Sequence, residues 1–171
     1  MGIGLSYRRV TLEEFEKLHN DATYASLYFG DALETDEEIY AYYEELENSD
    51  RYLDLDKYWQ PLHFIFTGEF PYDGQTNNIT WLHKMFMEGT VTNWEATYGM
   101  VRYFTADEVQ VIAQMLNNIS NDDLQQALNK LFSSNESRAY MEPHYINLYT
   151  QVINFFSKAA HEGEIILVSF D

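Results

Sequence analysis

The sequence predicts a single compact α+β domain over residues 1–171, mostly helical and packed around a small mixed or antiparallel sheet. Three observations predict this class: helix-start signals recur along the chain, apolar residues repeat at helical spacing, and the two ends and the middle favour extended structure. With 171 residues, 46% hydrophobic and 22% charged, the chain has the size and composition of one globular domain.

The N-terminal half begins with an expected strand in MGIGLSYRRV. Capping boxes follow, in which Thr11 and Thr35 each precede a glutamate by three residues. The second box opens a helix whose inward stripe is predicted to be Ile39, Tyr42, Tyr43 and Leu46. The stretch DLDKYWQPLHFIFTG is predicted to form a helix capped by Asp54 or Asp56 and ended by Gly68.

The C-terminal half alternates helices with extended stretches. Residues 81–88 are expected to form a short helix, residues 90–104 to be extended with a bend at Tyr98 and Gly99, and Thr105 and Ser120 to start two further helices. Pro143 is predicted to start the longest helix, and Gly163 to end it. IILVSF, residues 165–170, is predicted to be a buried strand against which that helix packs.

The net charge of −18 limits the classes of partner. Such a charge repels nucleic-acid phosphates and anionic lipids and attracts cationic partners, so neither nucleic acid nor membrane is expected. The sequence has no cysteine, which excludes disulfides and thiolate metal sites. We expect a monomer without cofactor.

The sequence also indicates a cytoplasmic location. The apolar stretch at the N-terminus is too short for a signal peptide, and charged residues follow it too soon. No apolar run approaches the ~20 residues that span a bilayer.

Four segments together resemble a known bacterial family. They are YRRVTLEEF, DLDKYWQPLHFIFTG, YGMVRYFTADEV and AAHEGEIILVSFD, and in order and spacing they resemble the YfbM-like family over essentially the whole chain. The resemblance implies one YfbM-like α+β domain of unknown function, with no established activity or cofactor. One departure is Pro61, and the acidic, tyrosine-rich segment 31–48 looks particular to this member.

His63 has two interpretations. On a helix that is apolar nearly all round, it is a hydrogen-bonded core residue. Alternatively, it is a general base held by Asp54 or Asp56. Those two acids are equally explained as helix caps, with Lys57 as an ion-pair partner, and the spacing does not suit a metal site. Motifs for zinc proteases, esterases, P-loops and dinucleotide binding are missing, so the sequence does not support an enzyme.

A second candidate site groups basic and phenolic side chains near predicted strand ends. The arginines Arg8, Arg9 and Arg102 either pair with nearby carboxylates or form an anion-binding mouth. That mouth would include Tyr7 and Tyr98, with Glu142 as an acidic partner or as a cap of the last helix. With His63 these residues define a candidate pocket: Tyr7, Arg8, Asp54, Asp56, Lys57, His63, Tyr98, Arg102 and Glu142.

The segment from Asp31 to Asp56 carries eleven acids and one base, a net −10. It is either a solvated helix face or a recognition surface in which acids steer a basic partner and tyrosines supply contact area. The candidate partner-binding residues are Asp36, Glu37, Glu38, Glu44, Glu45 and Glu47.

Two hypotheses of function follow. The first is a non-catalytic acidic binding protein that engages a basic protein, as an inhibitor or an immunity-type protein. The second is a small-molecule binder or enzyme with a pocket near His63, Tyr98 and Arg102. Charge and the missing motifs favour the first.

Overall fold

The computed structural model describes residues 2–71, 78–132 and 134–171. Over these residues the chain forms eight α-helices and one five-stranded antiparallel sheet. The predicted fold, one mostly helical α+β domain, is confirmed, and the sheet is antiparallel rather than mixed.

The strands and helices of the described residues have the following bounds. The strands are β1 (Leu5–Val10), β2 (Tyr52–Asp54), β3 (Thr90–Ala96), β4 (Gly99–Phe104) and β5 (Ile165–Phe170). The helices are α1 (Leu12–Asn20), α2 (Ala22–Phe29), α3 (Asp36–Glu47), α4 (Trp59–Thr67), α5 (Trp81–Met87), α6 (Ala106–Asn117), α7 (Asn121–Leu131) and α8 (Asn135–Glu162). A 3₁₀ turn at Asp56–Tyr58 leads into α4.

The sheet has the order β2-β1-β5-β4-β3, so the first and last strands of the chain lie side by side at its centre. They pair over their full length, from Leu5 opposite Phe170 to Val10 opposite Ile165. β5 is buried on both faces, as its run of apolar residues predicts.

The two faces of the sheet bear different layers. On one face α4 to α8 form the larger core, in which Leu148, Val152 and Phe156 pack with Ile166 and Val168 of β5, as predicted. On the other face α1 and α2 cover a smaller cluster of apolar residues: Val10, Leu18, Ala25, Trp94, Val101, Ile165 and Leu167.

The local helix signals are mostly confirmed. The threonines at 11, 35 and 105 each form a complete capping box with the glutamate three residues on. Gly163 ends α8 with φ of 68°, a left-handed conformation that glycine adopts without a Cβ clash.

The predicted start of the longest helix is wrong. α8 begins eight residues earlier, at Asn135, where the Ser134 hydroxyl accepts the N–H of Ser137, and Pro143 lies inside the helix. The carbonyl that loses its donor belongs to Ala139, and both residues are exposed, so the proline leaves no buried carbonyl without a partner. Glu142 does not cap this helix but forms an ion pair with Arg138 one turn earlier.

Neither Asp54 nor Asp56 caps α4, contrary to the prediction. The helix begins after the 3₁₀ turn, at a cap position where Tyr58 makes no side-chain cap bond. Asp54 Oδ1 instead accepts the N–H of Asp56 at 2.7 Å, and Asp56 has a positive φ of 44°. Short acids bond readily to backbone two residues on, which competes with capping.

The predicted inward stripe of α3 is also wrong. This helix buries none of its residues, and Ile39 and Tyr43 are 37% and 55% exposed. Only Tyr42 and Leu46 are partly covered. An apolar stripe in the sequence shows which side of a helix is apolar. It does not show whether the rest of the fold packs against that side.

Candidate functional site

A cleft of about 570 Å³ opens on the face of the sheet that carries α1 and α2. Its floor follows from strand register, because Ser6 lies opposite both Asp54 of β2 and Ser169 of β5. Asp54 and Ser169 line the cleft, and Tyr43 and Glu47 of α3 lie along its rim. The volume is in the range of ~300–1,000 Å³ that is usual for small-molecule sites.

Six carboxylates line this cleft, and Arg8 is its one basic lining residue in the part of the chain that the structure describes. The acids come from five separate segments: Asp31, Glu47, Asp54 with Asp56, Glu95 and Asp171. None of them has a lysine, arginine or histidine within 4.0 Å over residues 2–71, 78–132 and 134–171. The cleft is therefore a concentration of unneutralised negative charge.

The acids on the cleft floor act on one another. Loss of solvent raises the pKa of Asp54, and the charges of Asp56, Asp171 and Glu47 raise it further, while the hydrogen bond from the Asp56 N–H acts in the opposite direction. The Asp171 carboxylate accepts a hydrogen bond from Ser6 Oγ at 3.1 Å. These carboxylates are therefore close enough to disfavour one another's ionisation.

Arg8 is enclosed by aromatic rings rather than by carboxylates. Its guanidinium carbon lies 5.3–5.9 Å from the ring centres of Tyr28, Phe29, Tyr42 and Tyr52. Nη1 donates to the Tyr42 hydroxyl at 2.9 Å and to the Tyr28 carbonyl at 3.0 Å. Burial raises the pKa of Tyr28 and of Tyr52 to about 12, so these phenols stay neutral beside the cation.

Arg9, the next residue, lies on the opposite face and is fully paired. It is 2% exposed, and its Nε and Nη2 donate to Glu164 at 2.6 Å and to Glu162 at 2.9 Å. Arg51 Nη2 lies 3.0 Å from the other oxygen of Glu164, and Arg51 also binds Glu14. The ion-pair interpretation of the arginines therefore holds for Arg9, whereas Arg8 has rings in place of acids.

Of the nine predicted pocket residues, the structure brings Arg8, Asp54 and Asp56 together in the cleft. Tyr7 and Arg102 lie on the other face, because both align with Val168 across the sheet while Arg8 aligns with Leu167. An anion-binding mouth that combines Arg8 with Arg102 is thus not formed.

Tyr7 and Arg102 both bond to backbone carbonyls of α5. The Tyr7 hydroxyl donates to the Met85 carbonyl at 2.9 Å inside the core, and Arg102 Nη1 donates to the Met87 carbonyl at 2.8 Å. Tyr98 lies in the β3–β4 turn and is 49% exposed. Lys57 is exposed, with its ammonium 6.0 Å from the Tyr58 ring centre.

His63 is 4% exposed, as the core interpretation predicts. Its Nδ1 lies 2.6 Å from the Glu69 carbonyl, and its ring packs against Phe86 and His83. Burial lowers the pKa of His63, and the nearby His83 contributes in the same direction. Because neither Asp54 nor Asp56 bonds to it, the structure gives the general-base interpretation no support.

The outer surface of α3 holds a second feature, a groove lined by Asp36, Ile39, Tyr40, Tyr43, Glu44 and Glu47. Tyr40 is 77% exposed and Tyr43 is 55% exposed, so two phenol rings stand among carboxylates. All six predicted partner-binding acids, at 36, 37, 38, 44, 45 and 47, are exposed.

Sequence reasoning missed several cleft residues, notably Asp31, Glu95, Ser169 and Asp171. They are far apart in the chain, and only the pairing of β1 with β2 and β5 gathers them. The one local signal was the density of acids between Asp31 and Asp56.

Among the described residues no group of three histidines, aspartates or glutamates is arranged to hold a metal ion. Each helix in that part of the chain is too short or too polar to cross a bilayer.

Comparison with known proteins identifies the family. The model of a domain of unknown function, DUF1877, matches residues 1–169, and the chain belongs to this family. The structure is similar to the crystal structure of YfbM from Escherichia coli, a protein of unknown function. The two chains are 16% identical, each is covered to 99%, and the TM-score is 0.61, which shows a shared fold. A comparison with curated proteins finds no match. The predicted YfbM-like resemblance is thereby confirmed.

Proposed function

We propose that this protein is a non-catalytic binding protein whose α3 surface engages a basic segment of a protein partner. The observation that carries the proposal is that α3 buries none of its residues, yet presents Tyr40 and Tyr43 among its acids. Exposed aromatic side chains on a helix without buried residues are typical of a protein–protein interface.

Charge complementarity defines the partner. Lysine and arginine side chains would meet the α3 acids, while the tyrosine rings supply contact area with little conformational entropy to lose. The two phenols also offer faces for cation–π contacts. An inhibitor or immunity-type protein that covers a basic active surface is one protein of this kind.

The test is binding of a fluorescently labelled lysine- and arginine-rich peptide, followed by anisotropy. Wild-type protein is compared with Glu37→Lys/Glu44→Lys, which reverses two exposed acids on α3. The matched control is Glu16→Lys/Glu88→Lys, which makes the same change of net charge at exposed positions on α1 and after α5. The α3 variant should lose binding by about tenfold or more, whereas the control should lose about threefold or less.

Salt supplies a second criterion. Exposed charges are screened beyond ~8 Å at physiological ionic strength, so association with the wild type should slow as salt rises. Equal loss in the two variants would mean that the whole negative field, and not α3, attracts the peptide, and it would refute the proposal. If the α3 variant alone loses binding, capture from a lysate with the same three proteins can identify the natural partner.

A further inference from the structure

We propose that a second pocket, beside α3, binds a small organic monocarboxylate with an apolar or aromatic body, and that Arg8 holds the carboxylate. The pocket has a volume of about 290 Å³ and is lined by residues of α1, α2, α3 and the strands β1 and β2. It is distinct from the outer α3 surface of the proposed function, because neither Tyr40 nor Tyr43 lines it.

Charge is the first observation. The charged residues that line the pocket are Arg8, Arg9, Arg51, Glu14 and Glu45, so three cations and two acids give a formal +1. The acidic cleft, with six acids and one arginine, has a formal −5, and the whole chain has −18. An anion is therefore favoured in the pocket over the cleft. A single negative charge also meets less repulsion from the rest of the chain than a phosphate would.

The free donors of Arg8 are the second observation. Both hydrogen bonds that its guanidinium group makes to described residues, to Tyr28 and Tyr42, come from Nη1. Nε is buried and has no partner in the part of the chain that the structure describes. Buried donors almost always have a partner, and a charged donor costs more to leave unpaired than a neutral one.

The geometry of guanidinium identifies the ligand group. Nε and Nη2 lie on one edge of the planar group, and such an edge binds the two oxygens of a carboxylate through parallel hydrogen bonds. Arg8 is half-buried and lines the pocket, and its Nη2 is not fully buried. A carboxylate that meets Nη2 from the pocket can therefore reach Nε with its second oxygen.

The other two arginines of the pocket are already paired. Arg9 and Arg51 share the carboxylate of Glu164, and Arg51 also binds Glu14. They contribute to the positive potential of the pocket, but Arg8 is the arginine with donors to spare.

The uncharged lining suits an apolar ligand body. It includes Leu27, Leu46 and three tyrosines, Tyr28, Tyr42 and Tyr52, whose ring centres lie 5.4–5.9 Å from the Arg8 guanidinium carbon. These side chains can cover a hydrocarbon group while the carboxylate meets the cation. The volume lies near the lower end of the range of ~300–1,000 Å³ for ligand pockets, so the ligand is small.

The experiment is a titration of the isotope-labelled protein with sodium phenylacetate, followed by NMR. Phenylacetamide and phenethylamine carry the same ring on a neutral and a cationic group and serve as matched ligands. We expect saturable one-to-one binding of phenylacetate with a shift of the Arg8 Nε–H signal, and binding weaker by about tenfold or more for the other two. Equal binding of phenylacetate and phenylacetamide, or no saturation, would overturn the proposal.

Arginine variants localise the site. Arg8→Gln should weaken phenylacetate binding by about tenfold or more, and Arg8→Lys, which keeps the charge without the paired donors, by about threefold to tenfold. The matched control is Arg102→Gln, which removes the same charge from a half-buried arginine on the other face and should change binding by about twofold or less. Equal weakening by Arg8→Gln and Arg102→Gln would contradict the assignment.

A third variant leaves Arg8 and its bonds in place. Leu27 lines the pocket from α2 and is 56% exposed. Leu27→Trp should obstruct the pocket and weaken phenylacetate binding by about tenfold, with an unchanged thermal midpoint. This variant keeps the test decisive if the Arg8 variants lose stability. Unchanged binding would place phenylacetate outside the pocket and refute the proposal.

The same titration separates this inference from the proposed function. Glu37 and Glu44 do not line the pocket, so Glu37→Lys/Glu44→Lys should bind phenylacetate at least as tightly as the wild type, even though it loses the basic peptide. Arg8→Gln should in turn keep the basic peptide. Circular dichroism and thermal midpoints of each variant check that lost binding does not reflect lost folding.

Discussion

Arg8 and Arg9 are neighbours on β1, but their guanidinium groups lie in opposite environments, one among aromatic rings and the other among carboxylates. Arg9 points into the layer of α8 and meets Glu162 and Glu164, so a buried positive charge is matched by negative ones. Arg8 points to the cleft face, where four rings surround it while six acids nearby remain unpaired. The comparison teaches that the buried acid Glu164 is paired with a cation in this fold, whereas the exposed acids of the cleft are left to solvent.

The largest expected loss of stability comes from removing Arg9, the arginine that is paired with carboxylates. Arg9→Met leaves Glu164, which is 1% exposed, without its closest cation and should lower the free energy of unfolding by about 3–5 kcal/mol. Chemical denaturation measures this change. Lys158→Met removes an exposed pair with Asp50 and should leave the denaturation midpoint unchanged. A small effect for Arg9→Met would show that the ion-pair cluster is not what stabilises this face.

His63 extends the comparison to a buried polar group that is matched by a backbone carbonyl. His63→Ala should cost about 2–4 kcal/mol, because it removes packing against Phe86 and leaves a cavity. Burial lowers the pKa of His63, so the unfolded chain takes up a proton first as the pH falls. Stability from this residue is therefore present above about pH 6.5 and declines below it.

The measurement is the free energy of unfolding at about pH 5.5 and pH 7.5, which lie below and above the ordinary histidine pKa. The acid-induced loss should be smaller in His63→Ala than in the wild type. A loss of equal size in both proteins would assign the pH dependence to other groups and contradict the role given to His63.

The same substitution at Arg8 tests the other side of the comparison, and we expect a smaller loss of stability there. Arg8→Met keeps an unbranched side chain between the four rings and should cost about 1–2 kcal/mol, the worth of a cation–π contact and of the bond to Tyr42. Chemical denaturation measures this cost. A loss as large as that of Arg9→Met would mean that the ring cluster depends on its cation as strongly as Glu164 does, and it would break the comparison.

The smallest effect concerns Asp54. Its raised pKa means that the folded protein holds the proton more readily than the unfolded chain does, so stability falls as pH rises through that range. Asp54→Asn keeps an oxygen to accept the Asp56 N–H and removes the charge. It should stabilise the protein at neutral pH by less than about 1 kcal/mol, since solvent screens this group.

Thermal midpoints at about pH 4 and pH 7 test this direction, because they bracket the range in which an aspartate with a raised pKa titrates. A rise at pH 7 that is absent at pH 4 would show that the ionised carboxylate is kept at the expense of stability. A midpoint that falls at neutral pH would contradict the assignment of Asp54 as an unmatched charge.

The sequence predicted what depends on neighbours in the chain. Capping boxes at Thr11, Thr35 and Thr105 need only four residues each, and the apolar run of β5 shows its own burial. Pro143 was misread because proline suits a first helical turn, and nothing local showed that Ser134 already caps a longer helix.

The candidate site depended on pairing across long stretches of chain. That Arg8 and Arg102 lie on opposite faces follows from the register of β1 and β4 against β5, and a shift of one residue would reverse it. The same pairing brings Asp171 to Gly4 through backbone bonds of 2.7 and 3.1 Å and completes the acidic cleft. Composition showed an excess of acid, but only the fold shows which acids lack partners.

The loose attachment of α3 has an evolutionary consequence. The helix is held chiefly through Tyr42, whose hydroxyl donates to the Tyr28 carbonyl and accepts from Arg8, while its other side chains leave the core untouched. Substitutions elsewhere on α3 therefore carry little penalty in folding, and the segment is free to diversify. Related chains could therefore change the exposed face of α3 while keeping the sheet and its two cores.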